Sequence, residues 1–216
     1  MPSRAIEDYL KTIYKAEQKS AKVTNSQVAV QMGVKPASAT AMIKKLAKQN
    51  LVTHEPYHGI QLTDAGRKIA LEVLRHHRLI ELYLSEALGV PWDKVHAEAE
   101  NLEHAISEEL EDRMDAALGH PSFDPHGAPI PSRDGAIAVR DKIPLSQLPV
   151  GESARVVEVS DDDPNMLRYL TSLGVRLDTE LHLLGLAPFE GPLTLRIGDN
   201  EHSISRIVAN NVFVGT

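Results

Sequence analysis

The chain has 216 residues and no cysteine, which excludes disulfides, zinc–thiolate sites and thiol catalysis. Its net charge of -7 is unevenly divided: residues 1–70 hold 11 Lys and Arg against 5 Asp and Glu, whereas residues 71–216 hold 12 against 25. A basic first part favours a polyanionic partner, and an acidic remainder favours cations. No apolar run approaches the roughly 20 residues that span a bilayer, and the N-terminus has no apolar signal core. We therefore expect a cytoplasmic protein without a membrane partner.

Residues 4–17 have an apolar stripe at helical spacing, and residues 24–46 follow with the pattern of a helix-turn-helix. Ala29 allows two helices to cross closely, Gly33 permits the positive φ of the turn, and Pro36 suits the first turn of the second helix. An ordinary helical hairpin is the alternative interpretation. In the helix-turn-helix interpretation the second helix enters the major groove of DNA. The predicted base-edge contacts are Lys35, Pro36, Ala37, Ser38 and Thr40, and the predicted phosphate contacts are Lys44, Lys45 and Lys48.

Two short strand-like runs within residues 51–63 flank a Pro/Gly turn, which predicts a β-hairpin wing beside the helix-turn-helix. Thr63 is the predicted cap of a long helix from about residue 65 to 88. A second long helix is predicted from Asp93 to about Leu118. The apolar surface of these two helices exceeds what the small N-terminal winged helix can bury. This excess favours a homodimer, which suits paired DNA half-sites.

Metal-capable side chains recur on the two long helices. In the second helix they stand at i, i+4, i+7 and i+8, which is one helical face; these residues are His96, Glu100, Glu103 and His104. His77 and Glu81 repeat the i, i+4 spacing on the earlier helix. The pattern indicates a hard-metal site between helices, and a solvated acidic helix with two histidines is the alternative.

The remaining chain is a Pro/Gly/Ser/His-rich stretch followed by short alternating runs. Residues 119–140 are predicted to be a linker or an ordered loop. His120 and His126 in this stretch could bind metal, but loop histidines more often have no special role. Residues 143–216 predict a small β-barrel of SH3-like type, interrupted by one helical segment at 165–173.

Three motifs, at residues 7–14, 77–81 and 95–104, occur in the order and spacing of one family. Over its whole length the chain resembles the diphtheria toxin repressor and manganese transport regulator family of metal-activated transcription factors. The resemblance implies a mainly α fold with β structure, in three domains. These are a winged helix-turn-helix DNA-binding domain (1–64), a helical dimerisation and metal-binding domain (65–140) and an SH3-like domain (141–216). It also implies a homodimeric repressor of metal-uptake genes that binds palindromic operators in double-stranded DNA and has no catalytic residues.

The resemblance also assigns metal ligands. The primary site would comprise Asp8, Glu100, Glu103 and His104, and the ancillary site His77, Glu81, His96, Glu158 and Asp161. The iron-responsive branch has methionine and cysteine where Asp8 and Glu100 stand. The carboxylates found here favour Mn²⁺, with Fe²⁺ as the alternative. Lys11 stands where two-domain manganese regulators place a second glutamate, so we expect two separate sites and not a close metal pair.

Two other classes of protein fit the sequence less well. A carboxylate/His metalloenzyme is disfavoured because the chain has neither a His-Glu-x-x-His motif nor the paired Glu-x-x-His motifs of di-iron bundles. A metal buffer that does not bind DNA is disfavoured by the basic charge of the predicted winged helix.

Overall fold

The computed structural model describes residues 3–20, 22–55 and 59–215, and these residues form two compact units. The head unit comprises the chain up to residue 76 together with residues 103–105 and 131–136. The body unit comprises residues 77–102, 106–130 and the chain from residue 137. The predicted fold class, a winged helix followed by helices and an SH3-like sheet, is confirmed.

The head unit contains the winged helix-turn-helix. Its helices are α1 (Arg4–Lys19), α2 (Asn25–Gln31) and α3 (Pro36–Lys48). The wing consists of the antiparallel strands β1 (Val52–Glu55) and β2 (Gly59–Leu62), and the predicted wing turn at residues 56–58 lies outside the described residues.

Local sequence signals explain where α2 and α3 begin. Thr24 and Gln27 form a capping box, in which the Thr24 hydroxyl accepts from the Gln27 backbone N–H and the Gln27 side chain accepts from the Thr24 backbone N–H. Gly33 has a φ of 61° in the turn between the helices. Pro36 opens α3, where a missing N–H removes no helical hydrogen bond.

The first long helix agrees with its prediction, but the second does not. Helix α4 runs over Asp64–Glu86, and the Thr63 hydroxyl accepts from the backbone N–H of Gly66 at 3.1 Å, as a cap. The predicted single helix from residue 93 to 118 is wrong, because the chain forms α5 (Val95–Leu102) and α6 (Glu108–Ala117) with a turn between them.

The sequence contains a reason for this break. Ser107 caps α6 by accepting from the backbone N–H of Leu110, and three glutamates in the first turn of α6 complement its dipole. As a result, Glu103 and His104 lie in the turn after α5 and not on the helical face of His96 and Glu100. No helix in the described ranges combines the length and the apolar character needed to cross a bilayer.

The C-terminal barrel is a six-stranded antiparallel sheet. Its strands are β3 (Ile143–Pro144), β4 (Ser153–Val159), β5 (Glu180–Leu186), β6 (Leu193–Ile197), β7 (Asn200–Ile204) and β8 (Val212–Gly215). They pair in the order β3-β8-β4-β5-β6-β7. A short 3-10 helix (Leu145–Gln147), α7 (Pro164–Ser172) and α8 (Arg206–Ala209) accompany them. Alternate strand residues such as Leu181, Leu183 and Leu195 point into its core, and Trp92 from the α4–α5 connection is buried in the same core.

Candidate metal centre

Three of the four predicted primary ligands meet in the head unit, which we call the head cluster: Asp8, Glu103 and His104. His104 Nε2 lies 2.7 Å from Asp8 Oδ1 and 3.1 Å from Glu103 Oε1. Despite these distances, His104 Nε2 has no hydrogen-bond partner among the described residues. Neighbouring ligands of an octahedral cation with bonds of about 2.1 Å lie about 3 Å apart. The spacing and the unsatisfied ring nitrogen therefore fit a small divalent cation.

Glu7 completes the environment of His104 and was not predicted. Its Oε2 accepts a hydrogen bond from His104 Nδ1 at 2.6 Å. With the proton on Nδ1, the Nε2 lone pair of the neutral ring faces Asp8 and Glu103, which is the tautomer that a metal ligand needs. The only signal in the sequence is that Glu7 directly precedes Asp8.

Lys11 is a cation built into the edge of the head cluster. Its Nζ lies 2.5 Å from Glu103 Oε1, and both side chains are buried. The backbone carbonyl of Glu103 lies 3.1 Å from His76 Nδ1, which fixes the turn that carries Glu103. Glu103, a candidate ligand, is thus held by Lys11 at its side chain and by His76 at its backbone.

Glu100, the fourth predicted primary ligand, belongs to the body unit. Its Oε1 lies 3.8 Å from His96 Nε2 and 3.9 Å from His77 Nδ1.

Four of the five predicted ancillary ligands form a body cluster: His77, Glu81, His96 and Asp161. Glu81 Oε1 lies 3.0 Å from His77 Nε2 and 3.1 Å from His96 Nδ1, and Asp161 Oδ2 lies 3.2 Å from His96 Nδ1. Glu158, the fifth, is on β4 and forms an ion pair with Lys142. It is not part of this cluster.

The pKa values in the body cluster show strong mutual stabilisation of charge. Burial raises the pKa of Glu81, but the neighbouring His77 and His96 outweigh it and lower that pKa to about 2. Burial lowers the pKa of His96, but hydrogen bonds to Asp161 and Glu81 outweigh it and raise that pKa to about 10. The carboxylates therefore stabilise the protonated, positively charged form of His96. A divalent cation bound between them would supply positive charge in place of that proton.

A third set, the loop cluster, joins Glu81 to two residues of the stretch between α6 and the barrel, Asp124 and His126. All three are buried. Asp124 Oδ1 accepts from the backbone N–H groups of His126 and Ala128, and His126 Nε2–H donates to the Trp92 carbonyl at 2.8 Å.

Each member of the loop cluster nevertheless has one unsatisfied atom. Glu81 Oε2, Asp124 Oδ2 and His126 Nδ1 are buried without a hydrogen bond to any described residue. Burial raises the pKa of Asp124 to about 7, with a further contribution from Glu81 and opposition from Arg78 and His126. Buried acceptors without hydrogen bonds are rare and costly. Asp124 Oδ2 has an ion pair with Arg78 Nε at 3.5 Å, and a cation close to all three atoms would satisfy Glu81 Oε2 and His126 Nδ1 as well. Sequence reasoning missed this set because no spacing links Asp124 to Glu81.

The predicted DNA-reading surface of α3 is largely exposed. The side chains exposed there are Lys35, Pro36, Ala37, Ser38, Lys44 and Lys45. Thr40 differs, because it is half-buried and its hydroxyl accepts from Asn25 Nδ2 at 3.1 Å, which braces α3 against α2.

Comparison with protein-family models divides the chain into three matches. Residues 1–60 match the iron dependent repressor N-terminal DNA binding domain, and residues 63–132 match the iron dependent repressor metal binding and dimerisation domain. Residues 143–215 match the FeoA domain.

Individual proteins agree with these matches. The chain is 31% identical to the iron-dependent repressor IdeR of Mycobacterium leprae, over 78% of this chain and 79% of that protein. It is 31% identical to the diphtheria toxin repressor of Corynebacterium efficiens, over 82% of each chain. Among solved structures, a manganese-dependent transcriptional repressor in complex with manganese has a TM-score of 0.91 and 40% identity, covering 97% of this chain and 98% of that one. The manganese regulator SloR has a TM-score of 0.81 and 31% identity, covering 100% and 99%.

The family assignment fits the geometry, since a basic winged helix and clustered carboxylate and imidazole donors occur in one chain. The chain belongs to the iron-dependent repressor family, whose members are dimerising, metal-dependent, DNA-binding transcriptional repressors and not enzymes.

Proposed function

We propose that this chain is a Mn²⁺-activated repressor of metal-uptake genes that binds palindromic operators as a homodimer. The observation that carries the proposal is the donor chemistry: oxygen and imidazole nitrogen make up every cluster, and the chain has no cysteine. Such donors suit Mn²⁺, whereas sulfur ligands favour softer metals. The manganese named in similar solved structures supports the same choice. Fe²⁺ is the second candidate, because it accepts the same donors and the sequence relatives are named iron-dependent.

In the head unit, we propose that Asp8, Glu103 and His104 hold the activating ion. When bound, a divalent cation supplies the positive charge that offsets the repulsion between the Asp8 and Glu103 carboxylates. Glu7 keeps His104 in the ligand tautomer, and Lys11 holds Glu103 in place. The resemblance also assigns Glu100 to this set, and a Glu100→Ala variant tests that assignment.

Asp8 is well placed to affect DNA binding because α1 is braced to the wing. Glu17, at the other end of α1, accepts from the backbone N–H of Leu62 on β2 at 2.8 Å and pairs with Arg67 at 2.7 Å. A restraint on α1 at Asp8 is therefore passed to the elements that touch DNA. The coupling shifts an existing equilibrium towards the DNA-competent arrangement, and typical coupling free energies are about 1–3 kcal/mol.

In the body unit, we propose a second ion held by Glu81, Asp124 and His126 with Asp161 beside them. The three unsatisfied buried atoms of the loop cluster favour this set over one centred on His77 and His96. Asp161 follows β4 of the barrel, and Asp124 and His126 come from the loop. The second ion thus joins the loop and the barrel to α4.

The experiment that tests the function is capture of fragmented genomic DNA from the source organism by the purified protein. It is run with chelator, with Mn²⁺ and, anaerobically, with Fe²⁺, with Glu103→Ala as the control. Enrichment of a few promoter fragments by Mn²⁺ alone supports the proposal, and stronger enrichment by Fe²⁺ assigns the iron alternative. Equal enrichment with chelator, or an unchanged result with Glu103→Ala, overturns the metal-gated mechanism.

A further inference from the structure

Trp92, the single tryptophan of the chain, connects the helical part of the body unit to the barrel. It lies in the α4–α5 connection, but its side chain is only 6% exposed and is part of the barrel core. Its indole N–H donates to the Thr171 hydroxyl on α7 at 2.9 Å, and the Arg176 guanidinium lies 4.5 Å from its ring centre. The neighbouring Asp93 pairs with Arg168 on the same helix at 3.1 Å.

The same tryptophan contacts His126 twice. Its backbone carbonyl accepts from His126 Nε2, and the two rings are stacked with centroids 5.7 Å apart and an interplanar angle of 23°. A carbonyl oxygen can only accept, so Nε2 carries a proton. In the neutral ring the lone pair is then on Nδ1, the unsatisfied atom in the set with Glu81 and Asp124.

The backbone on either side of His126 is held against β4. The His126 carbonyl accepts from the backbone N–H of Val159 at 2.9 Å. Gly127 has a φ of 87°, and a Cβ there would lie 2.1 Å from the Val157 carbonyl oxygen on β4. With the backbone held in this way, the contacts with Trp92 restrain the orientation of the His126 ring.

We propose that Trp92 is a positioning residue for metal binding at the loop cluster. It fixes the tautomer and the ring orientation of His126, and it ties that histidine to α7 through Thr171. This inference rests on the proposed cation site at Glu81, Asp124 and His126. Removing a residue that orients a metal ligand typically lowers metal affinity by about 10–100-fold.

The first test uses the metal-free protein, so its outcome does not depend on the proposed function. Histidine ring ¹⁵N NMR spectra, with His126→Ala to assign the signals, report which nitrogen of His126 is protonated. We expect the Nε2–H tautomer in the wild type and in Trp92→Phe, which keeps the stacked ring. We expect a mixture of tautomers in Trp92→Leu, because the backbone carbonyl remains but the stacked ring that holds His126 Nε2 against it is lost. A single Nε2–H tautomer in Trp92→Leu overturns the proposal.

The second test is calorimetric titration with Mn²⁺ in an Asp8→Ala background, which removes a ligand of the head cluster. We expect Trp92→Leu to weaken the remaining Mn²⁺ site by at least about 10-fold and Trp92→Phe to recover most of that loss. Leu183→Ala, which opens the same fully buried barrel core without removing a contact to His126 that the structure shows, is the matched control and should leave the affinity within about three-fold.

Two results distinguish failure of the positioning role of Trp92 from failure of the proposed metal site in the body unit. Equal weakening by Leu183→Ala and Trp92→Leu would show a general effect of barrel stability and would overturn the positioning role. Absence of any Mn²⁺ binding in the Asp8→Ala protein, together with the expected tautomers, would overturn the proposed body site and leave the control of His126 by Trp92 intact.

Discussion

Lys11 and Glu103 form an ion pair closed to solvent, with Nζ 2.5 Å from Oε1 and both residues at most 5% exposed. Glu103 therefore has two roles, as the partner of a buried ammonium and as a candidate metal ligand. Substitutions that separate the two roles are needed, because loss of folding and loss of metal binding would both abolish DNA binding.

For Glu103→Ala we predict a loss of about 3–5 kcal/mol of unfolding free energy, because Lys11 loses its buried counter-charge. The double variant Lys11→Met/Glu103→Leu should recover most of that stability in urea unfolding, since apolar groups of similar volume replace the pair. Its Mn²⁺-dependent DNA binding should remain absent in an operator mobility-shift assay. Recovery of Mn²⁺-dependent binding by the double variant would rule Glu103 out as a ligand.

Glu7→Gln should weaken Mn²⁺ binding at the head cluster by about 10-fold, because the charge that orients His104 is lost while the ligands remain. Asp8→Asn, which alters a proposed ligand itself, should have a larger effect. Calorimetric titration measures both. Glu98→Gln removes an exposed acid of α5 that is in none of the donor clusters and serves as the charge-matched control. If Glu7→Gln and Glu98→Gln behave alike, Glu7 does not orient His104.

Asp124→Asn and His126→Ala should each remove one Mn²⁺ per protomer, measured by elemental analysis after desalting. Glu158→Ala should retain that ion and weaken activation only modestly, because Glu158 pairs with Lys142 outside the cluster. Loss of the same ion in Glu158→Ala would restore the ligand role that the resemblance assigns to it.

Gly127→Ala should be more destabilising than Gly119→Ala. Both positions have a positive φ, which costs a non-glycine residue about 1–3 kcal/mol. A Cβ at Gly119 meets nothing within 4 Å in the described structure, whereas one at Gly127 meets the Val157 carbonyl oxygen at 2.1 Å. The difference between the unfolding free energies of the two variants measures the cost of disturbing the close approach of Gly127 to Val157 on β4. Equal values would mean that this contact contributes nothing.

Lys44→Ala and Lys45→Ala should weaken binding to specific and nonspecific DNA alike. Each should reduce the slope of the logarithm of the binding constant against the logarithm of the salt concentration by about 1. Ser38→Ala should instead alter the preference between operator variants, because Ser38 is exposed at the start of α3. Fluorescence anisotropy at several salt concentrations separates the two effects. A change of operator preference caused by Lys44→Ala would reassign that lysine to base contacts.

The winged helix and the barrel could be predicted because their signals are local. Thr24 with Gln27, Gly33 with Pro36, and the alternating runs after residue 143 each determine structure within a few residues. The break between α5 and α6 was missed because the spacing of metal-capable residues suggested one continuous face. The Ser107 cap and the glutamates after it are the signal that identifies the break.

The loop cluster could not be predicted, for a different reason. Asp124 and His126 are buried only because Arg78, Trp92 and β4 surround them, and these contacts join residues 33 to 46 positions apart. Lys11 is similar, since nothing near it in the sequence indicates that a lysine is buried against Glu103, 92 residues away. Pairings of this kind arise from tertiary packing.

The loop between α6 and the barrel is held at several points. Arg78 donates to the Pro129 carbonyl, and Arg75 donates to the Pro131 carbonyl at 2.9 Å. Insertions are tolerated where the backbone is exposed and weakly bonded. Residues 120–131 therefore cannot take an epitope tag or a fluorescent-protein insertion without loss of the two ligand candidates they carry, whereas the exposed stretch around Ala138 and Val139 offers a position for a label.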